Sequence, residues 1–286
     1  MNGILIIDKP KDITSRDVVN NVVKRFNTKK VGHTGTLDPI ATGVLVVCVG
    51  SATKLVDELT SHDKEYIASV ELGALTDTLD NTGNIISQEK CIKTKEEIID
   101  ALNSFKGKYM QEVPICSAVK VNGKKLYEYA RKNIDVKLPS REVNIYDIQL
   151  IEKPVYKDNI TKIKFLVRVS KGTYIRSLIR DIARKLNTVG IMTNLRRVSQ
   201  GKYKLEDAIY LDDLTTDKVI SIKDMLDIKC VELPDDIYKK VINGAKIRNV
   251  YHENKILFTK DNREIAIYKE AEQGYMKIDK MIGGIL

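Results

Sequence analysis

The stretch GHTGTLDPIATGVLVVCVG, Gly32 to Gly50, sets a single acid, Asp38, in a polar loop of Gly and Thr that runs directly into six apolar residues, Val44 to Val49. A short apolar run between glycines reads as a buried strand. Asp followed by Pro is also how helices and turns begin, with the carboxylate as cap and Pro at the first helical position, so capping is one reading of Asp38. A phosphate-binding loop is excluded, because GxxxxGK[ST] needs a Lys after its second Gly and here Gly43 leads to Val44. The other reading of Asp38 starts from solvation. A carboxylate beside a buried strand stays ionised only if a cation or hydrogen-bond donors replace its lost water.

The chain offers such a cation downstream. KGTYIR, Lys171 to Arg176, opens a strongly amphipathic helical pattern, Thr173 to Leu186, with Ile175, Leu178, Ile179, Ile182 and Leu186 on one face. Arg176, Arg180 and Arg184 recur at i, i+4 and i+8 on its flank. A planar guanidinium at Arg176 could hold Asp38 bidentately; it could equally be one more phosphate contact.

Further upstream, GILIID reads as a strand, and Thr14 or Ser15 caps an amphipathic helix over DVVNNVVKRF. A helix is expected near Ala52 to Leu59. The strand Tyr66 to Leu72 then places Tyr66, Ala68, Val70 and Leu72 on one face. Thr94 to Phe105 reads as a helix, Lys108 to Pro139 as a basic inserted arm with a short helix in KKLYEYARK, and Ile163 to Val169 as a strand. After about Cys230 a short helix in ELPDDIYKKVING precedes the closely spaced strands NKILFTK, REIAIYKE and GYMKID, the pattern of a small β-barrel module. At 286 residues, one large mixed α/β domain plus a small one is the natural expectation.

The net charge of +9 is concentrated. Lys171 to Lys204 holds nine basic residues against the single acid Asp181, and Lys106 to Glu142 holds nine against four. Two basic segments in an otherwise mildly acidic chain suggest a footprint for a polyanion. The apolar run is far too short to cross a bilayer, so no membrane association is expected. The N-terminus, MNGILIIDKP, lacks the features of a secretory leader, and the expectation is a cytoplasmic protein. Four scattered cysteines and three histidines give no metal-ligand spacing, so neither disulfides nor a metal is expected. Asp77, Asp80 and Asn81 in TDTLDNTG read as a polar turn, since no late Glu completes a calcium loop. His33 is either an ordinary loop histidine or a contact to nucleic acid. Tyr66 is either a buried strand tyrosine or a platform for an unstacked base.

Taken together, KPKDITSRDVV (Lys9 to Val19), GHTGTLDPIATGVL (Gly32 to Leu45), KEYIASVELGALTDTLDNTG (Lys64 to Gly83), SAVKVNGKKLYEYAR (Ser117 to Arg131) and KGTYIRSLIRDIA (Lys171 to Ala183) resemble the TruB-type tRNA pseudouridine synthases. The resemblance spans most of residues 1–210. It implies an α+β (mixed α/β) fold: a catalytic domain over residues 1–228 with a central mixed, largely antiparallel sheet and a thumb arm at about 108–141, then a reduced PUA-like module over 229–286.

The resemblance also implies a reaction, the isomerisation of uridine 55 in the T loop of tRNA. It makes Asp38 the essential carboxylate, Arg176 its ion-pair partner and Tyr66 the residue that stacks on the target base. His33 would occupy the space left by the extruded base, and Leu195 would line the uracil pocket. Lys9 and Pro10 belong to a motif supporting the catalytic loop, and further substrate contacts are implied at Lys9, Lys171, Tyr174, Arg180 and Lys120. No cofactor, no metal and no obligatory protein partner are implied, and a monomer is expected. A guide-RNA-dependent pseudouridine synthase and a non-catalytic tRNA-binding or tRNA-folding protein are the alternative readings. The chain departs from the family pattern at Val113-Pro114-Ile115-Cys116, where Pro-Pro and an aromatic are usual. It also lacks some glycines typical of PUA modules.

Overall fold

The computed structural model describes residues 1–283. The apolar run becomes the Thr42–Val49 strand, buried from Gly43 onward, which pairs antiparallel with Gly3–Lys9. On one face Leu5, Ile7, Leu45 and Val47 meet Val18 and Val22 of the Ser15–Phe26 helix. On the other, Ile4, Ile6, Val44 and Val46 meet Leu257, Ile267 and Ile282 of the C-terminal module. Cover on both faces explains why this sequence is continuously apolar rather than alternating. Thr14, not Ser15, caps the helix: its hydroxyl accepts from Asp17 N while the Asp17 carboxylate accepts from Thr14 N. Ser15 is thereby left for another task.

The main sheet runs in the order Ile220–Ser221, Gly3–Lys9, Thr42–Val49, Gly190–Gln200, Lys64–Leu72, Ile160–Val169, Ser140–Leu150 and Gly107–Glu112. Along this order the neighbours are antiparallel except at one seam, where Thr42 and Gly43 run parallel to Arg196 and Arg197 for two residues. The Asp38 loop enters the sheet at this seam. Gly43 is required there: its φ is +101°, and a Cβ would lie 2.2 Å from the Arg197 carbonyl oxygen. Beyond the seam, Lys64–Leu72 alternates strictly between buried and partly exposed residues. Its buried set packs with Ile98 and Leu102 of the Lys95–Asn103 helix and with Leu178 and Ile182 of the Ile175–Lys185 helix.

Two sequence expectations change. The helix expected near Ala52 to Leu59 is a 3₁₀ segment, Gly50–Leu55, followed by one α-turn, Val56–Thr60. Thr53 Oγ1 donates to the Gly50 carbonyl, a local bond that competes with a regular helix, and Ser51 Oγ donates to the distant Ile282 carbonyl. The arm expected from Lys108 is also shorter. Gly107–Glu112 pairs with Ser140–Ile145 at the sheet edge, and Val113 N donates to the Pro139 carbonyl, closing the root of an excursion over residues 113–139. Polar residues on this edge strand mask its alternation in the sequence.

From Lys229 the chain forms a second, curled sheet in the order Lys229–Glu232, Lys255–Lys260, Arg263–Ala271, Tyr275–Met281 and Ile247–Arg248, with the Asp235–Ile242 helix beside it. Phe258 meets Tyr268 and Tyr251 edge to face at its centre. Lys54 Nζ donates to the Met281 carbonyl and Lys255 pairs with Glu58, tying this module to the segment before Lys64–Leu72. Among the described residues no helix is long and apolar enough to cross a membrane.

Candidate active site

Four side chains hold the Asp38 loop, three of them by its backbone. Gln200 Nε2 donates to Thr34 Oγ1, and Arg197 donates from Nη2 to the Gly35 carbonyl and from Nε to that of Val44. Ser15 Oγ accepts from Leu37 N, and Lys9 Nζ donates to the carbonyls of Pro10, Ile13 and Pro39. Lys9 and Arg197 are essentially inaccessible to solvent. Burial lowers the Lys9 ammonium to about 8, a cost offset by its three carbonyl acceptors and by the nearby charges of Asp12 and Asp38. Asp38-Pro39 opens a turn, not a helix, closed by Ala41 N donating to the Asp38 backbone carbonyl, and the Asp38 carboxylate is engaged elsewhere.

That carboxylate points to Arg176. Nε lies 2.9 Å from Oδ2, and Nη2 donates to Oδ1 at 3.0 Å. The same guanidinium donates to the carbonyls of Thr78 and Cys116, so it joins the loop, the Thr78 turn and the root of the arm. The Arg176 side chain is 7% exposed and that of Asp38 31%, which leaves the acid open to a substrate and the base enclosed. The Thr78 turn is set by Asp80, whose Oδ1 accepts from the hydroxyls of Thr78 and Thr82 and from Thr82 N.

Asp38 stands in a cavity of about 360 Å³. Tyr66 and Leu195 supply apolar wall, and Tyr174, Tyr127 and Lys64 complete it. Tyr127 comes from the arm, where Lys125 and Arg131 lie 5.5 and 5.2 Å from its ring. Tyr174 is pinned by Gln111, which exchanges hydrogen bonds with its backbone N–H and carbonyl, and carries the Arg141 guanidinium over its ring.

The other residues singled out in the sequence lie elsewhere. His33 is outside the cavity lining; its Nδ1 accepts from Gly35 N, and burial with Arg16 and Arg197 nearby lowers its pKa. Lys171 is exposed at the start of the turn that carries Tyr174, and Lys120 is exposed on the arm. Lys9 supports the loop from beneath and does not line the cavity. Arg180 is a correction. It is not on an open flank but buried, bonded to Glu112 and to Asp181, because Gly107–Glu112 covers that side of the helix. Lys64, Arg197, Gln200 and Tyr127 were not foreseen. Lys64 had a signal: it precedes Tyr66 by two residues, and alternation puts both on one face.

Comparison with known proteins matches this architecture to one family. Residues 23–175 match the N-terminal domain of the TruB family of pseudouridylate synthases, and residues 176–231 match a C-terminal domain of tRNA pseudouridylate synthase B. A protein of Clostridium tetani named tRNA pseudouridine synthase B is 39% identical, with 99% of this chain and 94% of that one aligned. Its namesake in Caldicellulosiruptor saccharolyticus is 41% identical over 97% of this chain and 91% of its own, and that of Bacillus pumilus 38% over 99% and 98%. Among solved structures, a chain of a Cbf5-Nop10-Gar1 complex shares the fold with a TM-score of 0.70 at 24% identity, over 99% of this chain and 85% of that one. The chain belongs to the TruB family of pseudouridylate synthases.

Proposed function

We infer that this enzyme isomerises uridine to pseudouridine at position 55 in the T loop of tRNA, with Asp38 as the catalytic carboxylate. The observation that carries this is the Asp38–Arg176 pair, an enclosed cation presenting a partly open carboxylate to a cavity walled by Tyr66 and Leu195. The names of the relatives supply tRNA as substrate.

The reaction breaks C1'–N1, turns the uracil and joins C1' to C5, so atoms balance without an oxidant or reductant. Reaching C1' requires the nucleotide to leave its stack, at a cost of a few kcal/mol offset by pocket and phosphate contacts. Tyr66 stacks on the extruded base, Leu195 packs its edge, and His33 fills the gap left in the T loop. Asp38 acts at the ribose, either by attack on C1' or by removal of the C2' proton. Arg176 aims the carboxylate, donating from Nη2 to Oδ1 with Nε 2.9 Å from Oδ2. Exposed Lys171 and Lys120 contact phosphates, and the 113–139 arm closes over the T loop. Residues 1–228 act as the catalytic domain and 229–286 as a reduced PUA-like RNA-binding module, in a cytoplasmic monomer that needs no guide RNA.

The test is to treat an unmodified tRNA transcript with the purified protein and map pseudouridine by carbodiimide-blocked primer extension. A single stop at position 55, absent when that uridine is replaced by cytidine, is expected. No stop, or a stop elsewhere, would overturn the assignment.

A further inference from the structure

Three buried cations lie under and beside the Asp38 loop: Lys9, Lys64 and Arg197 are each at most 8% exposed. Among the described residues none of them has a carboxylate in salt-bridge range. Lys9 directs its donors to three carbonyls, and Arg197 is anchored on the carbonyls of Val44 and Gly35. Lys64 differs. An ammonium has three donors, and two of them go to the carbonyls of Thr60 at 2.8 Å and His62 at 2.6 Å. Its side chain lines the cavity that also holds Asp38, Tyr66 and Leu195. One donor and a full positive charge therefore remain for whatever enters.

We propose that Lys64 is a catalytic residue, donating a hydrogen bond to a carbonyl oxygen of the detached uracil and stabilising the negative charge that ring carries once C1'–N1 breaks. The assignment rests on the function inferred above and deepens it. Whether Asp38 bonds to C1' or takes the C2' proton, the C1'–N1 electron pair stays with the uracil and spreads over N1, O2 and O4. When C5 bonds to C1' the ring gives that charge back while the Asp38–C1' bond breaks, or, by the other route, Asp38 returns the proton to C2'; loss of the C5 proton and uptake of one at N1 complete pseudouridine. A fixed cation in a water-poor wall stabilises such transient charge more than solvent does, with no reorganisation.

The charges facing Lys64 give a readout. Burial chiefly, with Arg197 and Lys171 adding to it and Asp63 opposing, lowers its ammonium to about 8. His62, on the preceding turn, is itself pushed below the usual imidazole range, by burial first and then by Lys64. Across the cavity Asp38 and Arg176 hold each other. The charge on Lys64 is thus lost as pH rises through about 8, and kcat/KM falls with it.

The experiment compares wild type, Lys64→Gln and Lys64→Arg on the tRNA transcript, with single-turnover rate, RNA Kd, pH profile and a thermal melt of each protein. Lys64→Gln is expected to lower the single-turnover rate about 10²-fold, with Kd within about threefold of wild type. Wild-type kcat/KM should fall above pH 8, whereas Lys64→Arg, always charged, should keep more of the rate and a flat profile to about pH 9. A Lys64→Gln rate within about twofold of wild type would overturn the assignment. So would a loss confined to Kd with a shallower salt dependence, which would make Lys64 a phosphate contact of the adjoining cleft with Arg168 and Lys202. If Lys64→Gln fails to fold, the Lys64→Arg profile decides: the same fall above pH 8 as wild type contradicts the proposal. Wild-type protein inert on tRNA would overturn the functional reading, and this assignment with it.

Discussion

Arg176 grips Asp38 through two nitrogens at once, Nε on Oδ2 and Nη2 on Oδ1, while its remaining bonds go to the backbone of Thr78 and Cys116. One guanidinium thus orients the acid and joins three segments that are distant in the chain. Lysine carries the charge but cannot reproduce the planar fork. Arg176→Lys is expected to lower single-turnover rate by about 10²-fold or more while RNA affinity changes by less than about threefold. Equal losses in both would make Arg176 a phosphate contact.

This pairing was half legible in the sequence. The need of Asp38 for a cation, and the placing of Arg176 in the first turn of an amphipathic helix, follow from solvation and periodicity. What selects Arg176 over Arg180 is not local. Arg180 lies one turn further on, where the Gly107–Glu112 strand supplies Glu112, and that strand hides its alternation behind exposed Lys108 and Met110. The Thr42–Val49 and Lys64–Leu72 strands were readable because burial on two faces and on one leaves different patterns. Arg197 was not, because a basic residue in a basic segment gives no sign that it will be buried under a loop from 162 positions earlier.

Arg180 and Lys171 should therefore separate stability from binding. Arg180→Ala leaves Asp181 only the more distant Arg184 and frees Glu112, and is expected to cost about 3 kcal/mol of stability with the salt dependence of RNA affinity unchanged. Lys171→Ala should leave stability within about 0.5 kcal/mol and reduce the slope of log K against log salt by about one. Denaturant melts and binding titrations over a range of salt check both; a reversed pattern would contradict the placement of the two residues.

At the seam of the sheet, Gly43→Ala sets a methyl group against the Arg197 carbonyl in a backbone conformation that alanine avoids. A loss of about 3 kcal/mol or more is expected, read from chemical denaturation. A melt unchanged from wild type would show that the seam can open.

Lys9 and Lys64 both stand near 8 in the fold, against 10.5 for an exposed lysine. Between about pH 8 and 10.5 the unfolded chain keeps protons that the folded chain has released, so stability rises with pH in that window; below it the penalty for burying each charge is constant. The stability of wild type relative to Lys64→Gln should rise by about 1 to 2 kcal/mol between pH 8 and pH 10. A difference that stays flat or falls would contradict the burial of a charged Lys64.

The central claim is that the carboxylate held by Arg176 performs the isomerisation, and the most direct measurement is tritium release from C5-labelled uridine in an unmodified tRNA transcript by wild type and Asp38→Asn. Release by wild type that is abolished in Asp38→Asn, with tRNA binding retained, is the expected result. Release that survives the substitution, or no release by a wild-type protein that binds tRNA tightly, would contradict it.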